Sequence, residues 1–296
     1  MNKVDSLILS AREIAETNWL KAMNIIRDGI SEYPSEPALY VMMGDIYLKR
    51  NATTRSIDYF KKAIRLGNPS DELLTKIADT YLLMDDFNTS LKYYEMLTEL
   101  QINVVHKKVY VLHRLNKLNK ALDLLENYIW ESPYPETILQ YAEILAQLGR
   151  KDEALENINL GLKKFAGEPR LIGLAGIINY LSGNHLPACK CFSIVESANP
   201  DNNWRVRYLY MYAKASLHSG FTEKGLRLLE DYILNVNPDI EVFRYYLVEM
   251  FKVGRINQAK SLLQKLEEKD SVRGITLTSM KLSLNYYINL DSPNSD

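Results

Sequence analysis

The chain has 296 residues, 47% hydrophobic and 25% charged, which is apolar enough to bury a core and excludes wholesale disorder. Thirty-six Lys and Arg against 37 Asp and Glu leave a net charge of -1, without the basic excess by which a protein neutralises nucleic-acid phosphates. Two cysteines exclude a disulfide scaffold, and 13 Gly with 10 Pro favour helix over sheet.

At the start, only Leu7, Ile8 and Leu9 form an apolar run before Arg12, Glu13 and Glu16. A secretory signal needs about 7–15 apolar residues and a membrane span about 20. A cytoplasmic protein without membrane insertion is therefore expected.

Farther along, Gly44–Pro69 and Ala175–Pro200 have the same layout of helix, polar turn, helix and closing Asn-Pro. Anchoring each unit on the small residue that opens its second helix gives Ala22, Ser56, Ser90, Ala121, Ala154, Ala188, Gly225 and Ala259, spaced 34, 34, 31, 33, 34, 37 and 34 apart. A small residue there lets two helices of a hairpin approach closely. Twelve residues earlier stand Ser10, Gly44, Ala78, Val109, Ala142, Gly176, Ala213 and Leu247, six of them small. Four residues later stand Ile26, Phe60, Tyr94, Leu125, Ile158, Phe192, Leu229 and Leu263, all large, on the face of the anchor.

The period and these residues resemble the tetratricopeptide-repeat family. The match is fullest in the second unit, through Tyr40, Met43, Gly44, Tyr47, Ser56, Phe60, Ala63 and Pro69. The resemblance implies an all-α fold, a right-handed superhelical solenoid of antiparallel helix pairs. Repeats would start near 3, 37, 71, 102, 135, 169, 206 and 240, in a single solenoid over 1–290.

In chain order, Pro34 closes the first repeat, and Asp85-Asp86 turns the third, capping or solvated. The fourth is short, with Lys108, Val109 and Leu112 where the family has Leu, Gly and Tyr; its first helix is expected to be tilted or abbreviated. Pro133 and Pro200 close the fourth and sixth. Gly149, Gly183, Gly220 and Gly254 end first helices as C-caps. The seventh repeat carries an inserted Asp201–Arg205. A capping helix follows over 271–290, its stripe being Leu277, Met280, Leu284 and Tyr287, and then a flexible tail, 291–296.

Catalytic motifs are missing: there is no glycine-rich phosphate loop, His-Glu-x-x-His, Gly-x-Ser-x-Gly or Cys-x-x-Cys. Cys189 and Cys191 point to different faces of a helix and read as packing thiols. His106 and His113, two turns and about 10 Å apart, are too far apart for one zinc ion. His185 falls in a turn, and His218 near the end of a first helix. Neither a cofactor nor a metal is expected.

In proteins of this resemblance the first helices line the inside of the superhelix. That places His106, Lys107 and Tyr110 there, with His113 and Arg114 one turn on. It likewise places Arg207, Tyr210, Met211 and Lys214 of the seventh repeat, and Glu241, Arg244, Tyr245 and Val248 of the eighth. The sixth offers Arg170, Gly173, Leu174 and Ile177. Cations beside aromatic rings suit a protein or peptide client with acidic and apolar side chains. The two-carboxylate clamp by which some family members grip chaperone tails is not completed: its positions hold Leu7, Ala11, Met42, Glu72 and Lys76, or His106, Tyr110, Gln140, Arg170 and Leu174. The expected role is a non-catalytic scaffold or adaptor. The alternatives are a self-assembling oligomer, suggested by the weak N-terminal apolar face of Val4, Leu7 and Ile8, and an RNA-binding helical-repeat protein, which the charge disfavours.

Overall fold

A computed structural model describes residues 2–67, 69–129, 134–198, 202–269 and 275–291, of which 202–204 and 275 are described by backbone alone. The described residues form seventeen α-helices and one 3-10 turn, with no strand. Their contacts group the chain into two compact units, 1–132 and 133–296.

The first unit holds α1 (Lys3–Ala15), α2 (Trp19–Glu32), α3 (Pro37–Lys49), α4 (Thr53–Leu66), α5 (Asp71–Leu83), α6 (Phe87–Glu95), α7 (Ile102–Arg114) and α8 (Leu118–Glu126). In the second are α9 (Pro135–Gln147), α10 (Lys151–Lys164), α11 (Pro169–Leu181), α12 (His185–Ser197), α13 (Asn202–His218), α14 (Thr222–Asn235), α15 (Ile240–Lys252), α16 (Ala259–Glu268) and α17 (Ile275–Asp291). Pro37, Pro135 and Pro169 open α3, α9 and α11, where the missing N–H costs no intrahelical bond.

One local device recurs at seven of the eight hairpin turns. Asn51, Asp85, Asn116, Gly149, Gly183, Gly220 and Gly254 all have φ between 55° and 82°. Each donates its N–H to the carbonyl three residues back, and the next residue donates to the carbonyl five back, as in Ala52 to Tyr47 at 3.0 Å and Arg150 to Leu145 at 2.9 Å. This double bond pattern closes a helix through a left-handed residue. The four glycines are as expected; two Asn and one Asp do the same work elsewhere. Asp86 then caps α6, its carboxylate accepting from Thr89 N–H at 3.1 Å.

All eight anchors are buried, as are all eight residues four places later. On the first helices the positions twelve residues before the anchors are buried in seven repeats. The first repeat differs. Ser10 is half-buried, and its neighbour Ala11 is fully buried. Its turn has no left-handed residue: Asn18 N–H reaches only Ile14, four residues back. Without that turn, α1 presents a different residue to the crossing.

The fourth repeat also corrects the expectation. Its first helix, α7, has 13 residues, like α3, α5, α9, α11 and α15. The shortfall lies before it, in α6, which has nine. The loop after α6 is tied to the start of α5: the Asp71 carboxylate accepts from Thr98 N–H, Thr98 Oγ1 and Glu99 N–H at 2.7–3.2 Å. Those bonds hold the Asp71 carboxyl below its ordinary range, the Thr98 hydroxyl contributing most.

In the seventh repeat the insertion lengthens α13 to 17 residues. Arg205 joins Glu196 of α12, at 2.8 Å, to Asp231 of α14. Pro133, Pro200, Asp201, residues 271–274 and the tail 292–296 fall outside the described residues. In the second unit α17 buries Met280 and Leu284 against the cluster of Leu247, Met250, Leu263 and Leu266, and Tyr287 meets Phe251 at 5.8 Å.

Candidate binding surfaces

In the second unit, α13 and α15 bring three of the expected residues together. The Lys214 ammonium lies 5.4 Å from the Tyr210 ring centre and 5.1 Å from that of Tyr245. The two rings meet edge to face at 6.4 Å, and Tyr232 of α14 stands 5.5 Å from Tyr210. Cation and rings stabilise one another here, and among the described residues no carboxylate forms an ion pair with Lys214. Burial raises both phenols, that of Tyr245 to about 12, so each stays protonated at neutral pH. Arg207 is exposed, and no ion pair engages it among the described residues. Met211 is half-buried against the α12–α13 cluster and serves packing. Arg244 is committed, pairing with Glu241 at 2.8 Å and donating to Ser283 Oγ at 3.3 Å.

On α7 the expected residues are more fully engaged. Lys107 pairs with Asp79 of α5 at 2.6 Å, and the same carboxylate accepts from Tyr94. Arg114 stacks on Phe87 at 4.6 Å and donates to Tyr110 Oη at 2.9 Å. Tyr110 is exposed beside Phe87, while His106 and His113 are half-buried. The Lys107–Asp79 pair repeats one step earlier as Lys76–Asp45 at 2.8 Å. In the second unit Arg170 pairs with Glu136 of α9 at 2.7 Å. Such bonds between successive first helices occupy charges that sequence spacing alone would offer to a ligand.

One recess lies where no site was expected. A pocket of about 340 Å³ opens between α1, α3 and α5 in the first unit, floored by Ile8, Val41, Met42 and Leu73 and edged by Arg12, Asp45, Glu72 and Lys76. A second recess of about 220 Å³, lined by Ala15, Ile46 and Leu48, shares Arg12, Met42 and Asp45 with it. Sequence spacing placed Ala11 toward the interior of the repeats; the different presentation of α1 buries Ala11 and sets Arg12 in the pocket wall.

Cys189 is buried and Cys191 half-buried. His185 is the first residue of α12 rather than part of a turn, and its ring stacks on His218 at 4.6 Å. Among the described residues no cluster of three or more His, Cys, Asp or Glu could hold a metal ion, and no helix is long and apolar enough to cross a membrane.

The model of the tetratricopeptide repeat matches residues 37–66. DnaJ homolog subfamily C member 3 of Gallus gallus is 27% identical over 105 residues, 35% of this chain and 20% of that protein. The chain spans a fifth or less of the length of the curated relatives it matches. A tetratricopeptide repeat protein from Parabacteroides merdae shares the fold with a TM-score of 0.61, covering 86% of this chain and 99% of that one at 14% identity. YrrB, described as such a protein with an unusual peptide-binding site, gives 0.52 over 62% of this chain and 96% of that one, at 17% identity.

Proposed function

We propose that this chain, which matches the tetratricopeptide-repeat model over residues 37–66 and shares the fold of such proteins, is a non-catalytic scaffold that holds a peptide or protein segment on the exposed face of its first helices. The carrying observation is the α13–α15 patch, where Lys214 lies over both the Tyr210 and Tyr245 rings and exposed Arg207 is on the same helix. Two tyrosines offer large contact area at low entropy cost, and the cations favour acidic side chains. Arg244 belongs to this surface with its charge already shared with Glu241, so it contributes less than Arg207. YrrB, with its peptide-binding site, shows the same fold put to peptide recognition.

The test begins with a peptide array of mixed acidic, aromatic and basic sequences, followed by titration of the strongest binder. Arg207→Ala/Lys214→Ala/Arg244→Ala is expected to weaken that binding and flatten its salt dependence. Unchanged affinity in the triple variant would remove this patch from the reading and turn attention to Lys107, Tyr110 and Arg114.

A further inference from the structure

The trough between α1, α3 and α5 has a chemistry of its own. Its two recesses, about 340 and 220 Å³, share Arg12, Met42 and Asp45. The larger falls in the range of pockets that enclose small ligands or large side chains. Both floors are apolar, and the charges at the edge are unequal in their commitments. Lys76 is held by Asp45 at 2.8 Å and by Glu72 at 3.2 Å. Lys49 is paired with Glu16. Arg12 is exposed, and no ion pair or hydrogen bond engages it among the described residues. The uncommitted charge is thus positive, and its guanidinium carries the fork that binds a carboxylate bidentately.

We propose that this trough is a second binding site, for a peptide segment in which one carboxylate is flanked by apolar side chains. The apolar side chains enter the two recesses, one toward Ile8, Val41 and Leu73 and the other toward Ala15, Ile46 and Leu48. The carboxylate meets Arg12 at the wall common to both. A basic peptide would face Arg12, while the two carboxylates at the edge, Asp45 and Glu72, already share Lys76. The site is independent of the α13–α15 patch and does not need that reading to hold.

The test uses the full chain and acetylated seven-residue peptides. One set carries a central Asp flanked by Leu, Ile or Phe; the control sets replace that Asp with Asn or Lys. Isothermal titration is expected to show the best Asp peptide binding at least tenfold tighter than its Asn counterpart, with the Lys peptide weaker still. Arg12→Gln should abolish the preference for Asp, and Arg12→Lys should restore part of it. Ala38→Trp, at an exposed position on the pocket wall, should fill the recess and remove binding of every peptide; circular dichroism checks that each variant is folded. Arg207→Ala/Lys214→Ala/Arg244→Ala should bind these peptides as the wild type does. Equal affinity for the Asp and Asn peptides, binding unaffected by Ala38→Trp, or no binding at millimolar peptide would each overturn the proposal. Loss of binding in the α13–α15 triple variant would reassign the peptides to that patch.

Discussion

Gly176 and Gly149 make opposite demands on a β-carbon. Gly176 lies inside α11, where a Cβ would come within 2.6 Å of Phe192 Cε1 and 3.1 Å of Cys191 Cβ. Phe192 cannot easily yield, being fully buried and stacked on Tyr208 at 5.4 Å. In an open helix Gly→Ala gains about 1 kcal/mol; overpacking of this kind costs about 1–3 kcal/mol and should win. Gly149 has φ 81°, and a methyl group there would meet nothing within 4 Å, so the cost of Gly149→Ala is that of backbone conformation alone, about 1 kcal/mol. Urea unfolding should show both variants destabilised. Phe192→Leu should relieve Gly176→Ala and leave the cost of Gly149→Ala unchanged; equal relief would mean the steric account is wrong. At the same scale, His185 stacks on His218 with their planes 19° apart, and burial first, then the charge of His218, lowers the His185 pKa. The unfolded value is about 6.5. Below it the unfolded chain takes up a proton that the folded chain resists, so stability present above about pH 6.5 is lost as pH falls through the folded value. The thermal midpoint should drop between pH 7 and 5.5, and drop less in His218→Gln. An identical pH slope in the two proteins would show that the stack plays no part.

The anchors were legible in the sequence because a hairpin crossing tolerates only small residues, and Ala22 through Ala259 meet that demand whatever surrounds them. Helix lengths were less so. The short fourth spacing reads equally as a trimmed first or second helix; only the bonds from Asp71 to Thr98 and Glu99 show that α6 ended early. The function of the inserted segment was also hidden, because Arg205 meets partners 9 and 26 residues away on other helices. Its guanidinium joins Glu196 to Asp231, and Tyr208 donates to Glu196 at 2.7 Å. Arg205→Met keeps the apolar stem but leaves two half-buried carboxylates facing α13. The cost expected by chemical denaturation is about 2 kcal/mol, below the 3–5 kcal/mol of a fully buried pair because both acids keep some water. Adding Glu196→Gln should recover part of the loss, since one uncompensated charge is then removed. No recovery would mean that Arg205 acts through packing.

At the scale of the molecule, periodicity disclosed the helix pairs of each unit and left the charged surfaces proposed to bind partly concealed. Tyr210, Lys214 and Tyr245 do converge, because their positions recur at the repeat spacing. Arg12 escaped, because the first turn lacks the left-handed residue found at the other seven and α1 faces its neighbours differently. Spacing also cannot reveal that Lys107 pairs with Asp79. Stacked repeats also share their stability in a particular way: each pair is held by its neighbours, so removing one element acts most strongly on the next. In the second unit α17 lies against α15 and α16, burying Met280 and Leu284 with Leu277, Tyr287 and Ile288 partly covered beside them. Ending the chain before Ser271 would return Met250, Leu263 and Leu266 toward water. At about 1.5–3 kcal/mol for each fully buried side chain, losing Met280 and Leu284 alone forfeits about 3–6 kcal/mol of local stabilisation. Hydrogen exchange should therefore accelerate in α15 and α16 while α9 and α10 change little, and light scattering should detect association that grows with concentration through the uncovered apolar face. A truncated chain that stays monomeric, with unchanged exchange in α15 and α16, would show that α17 contributes no cover to the stack.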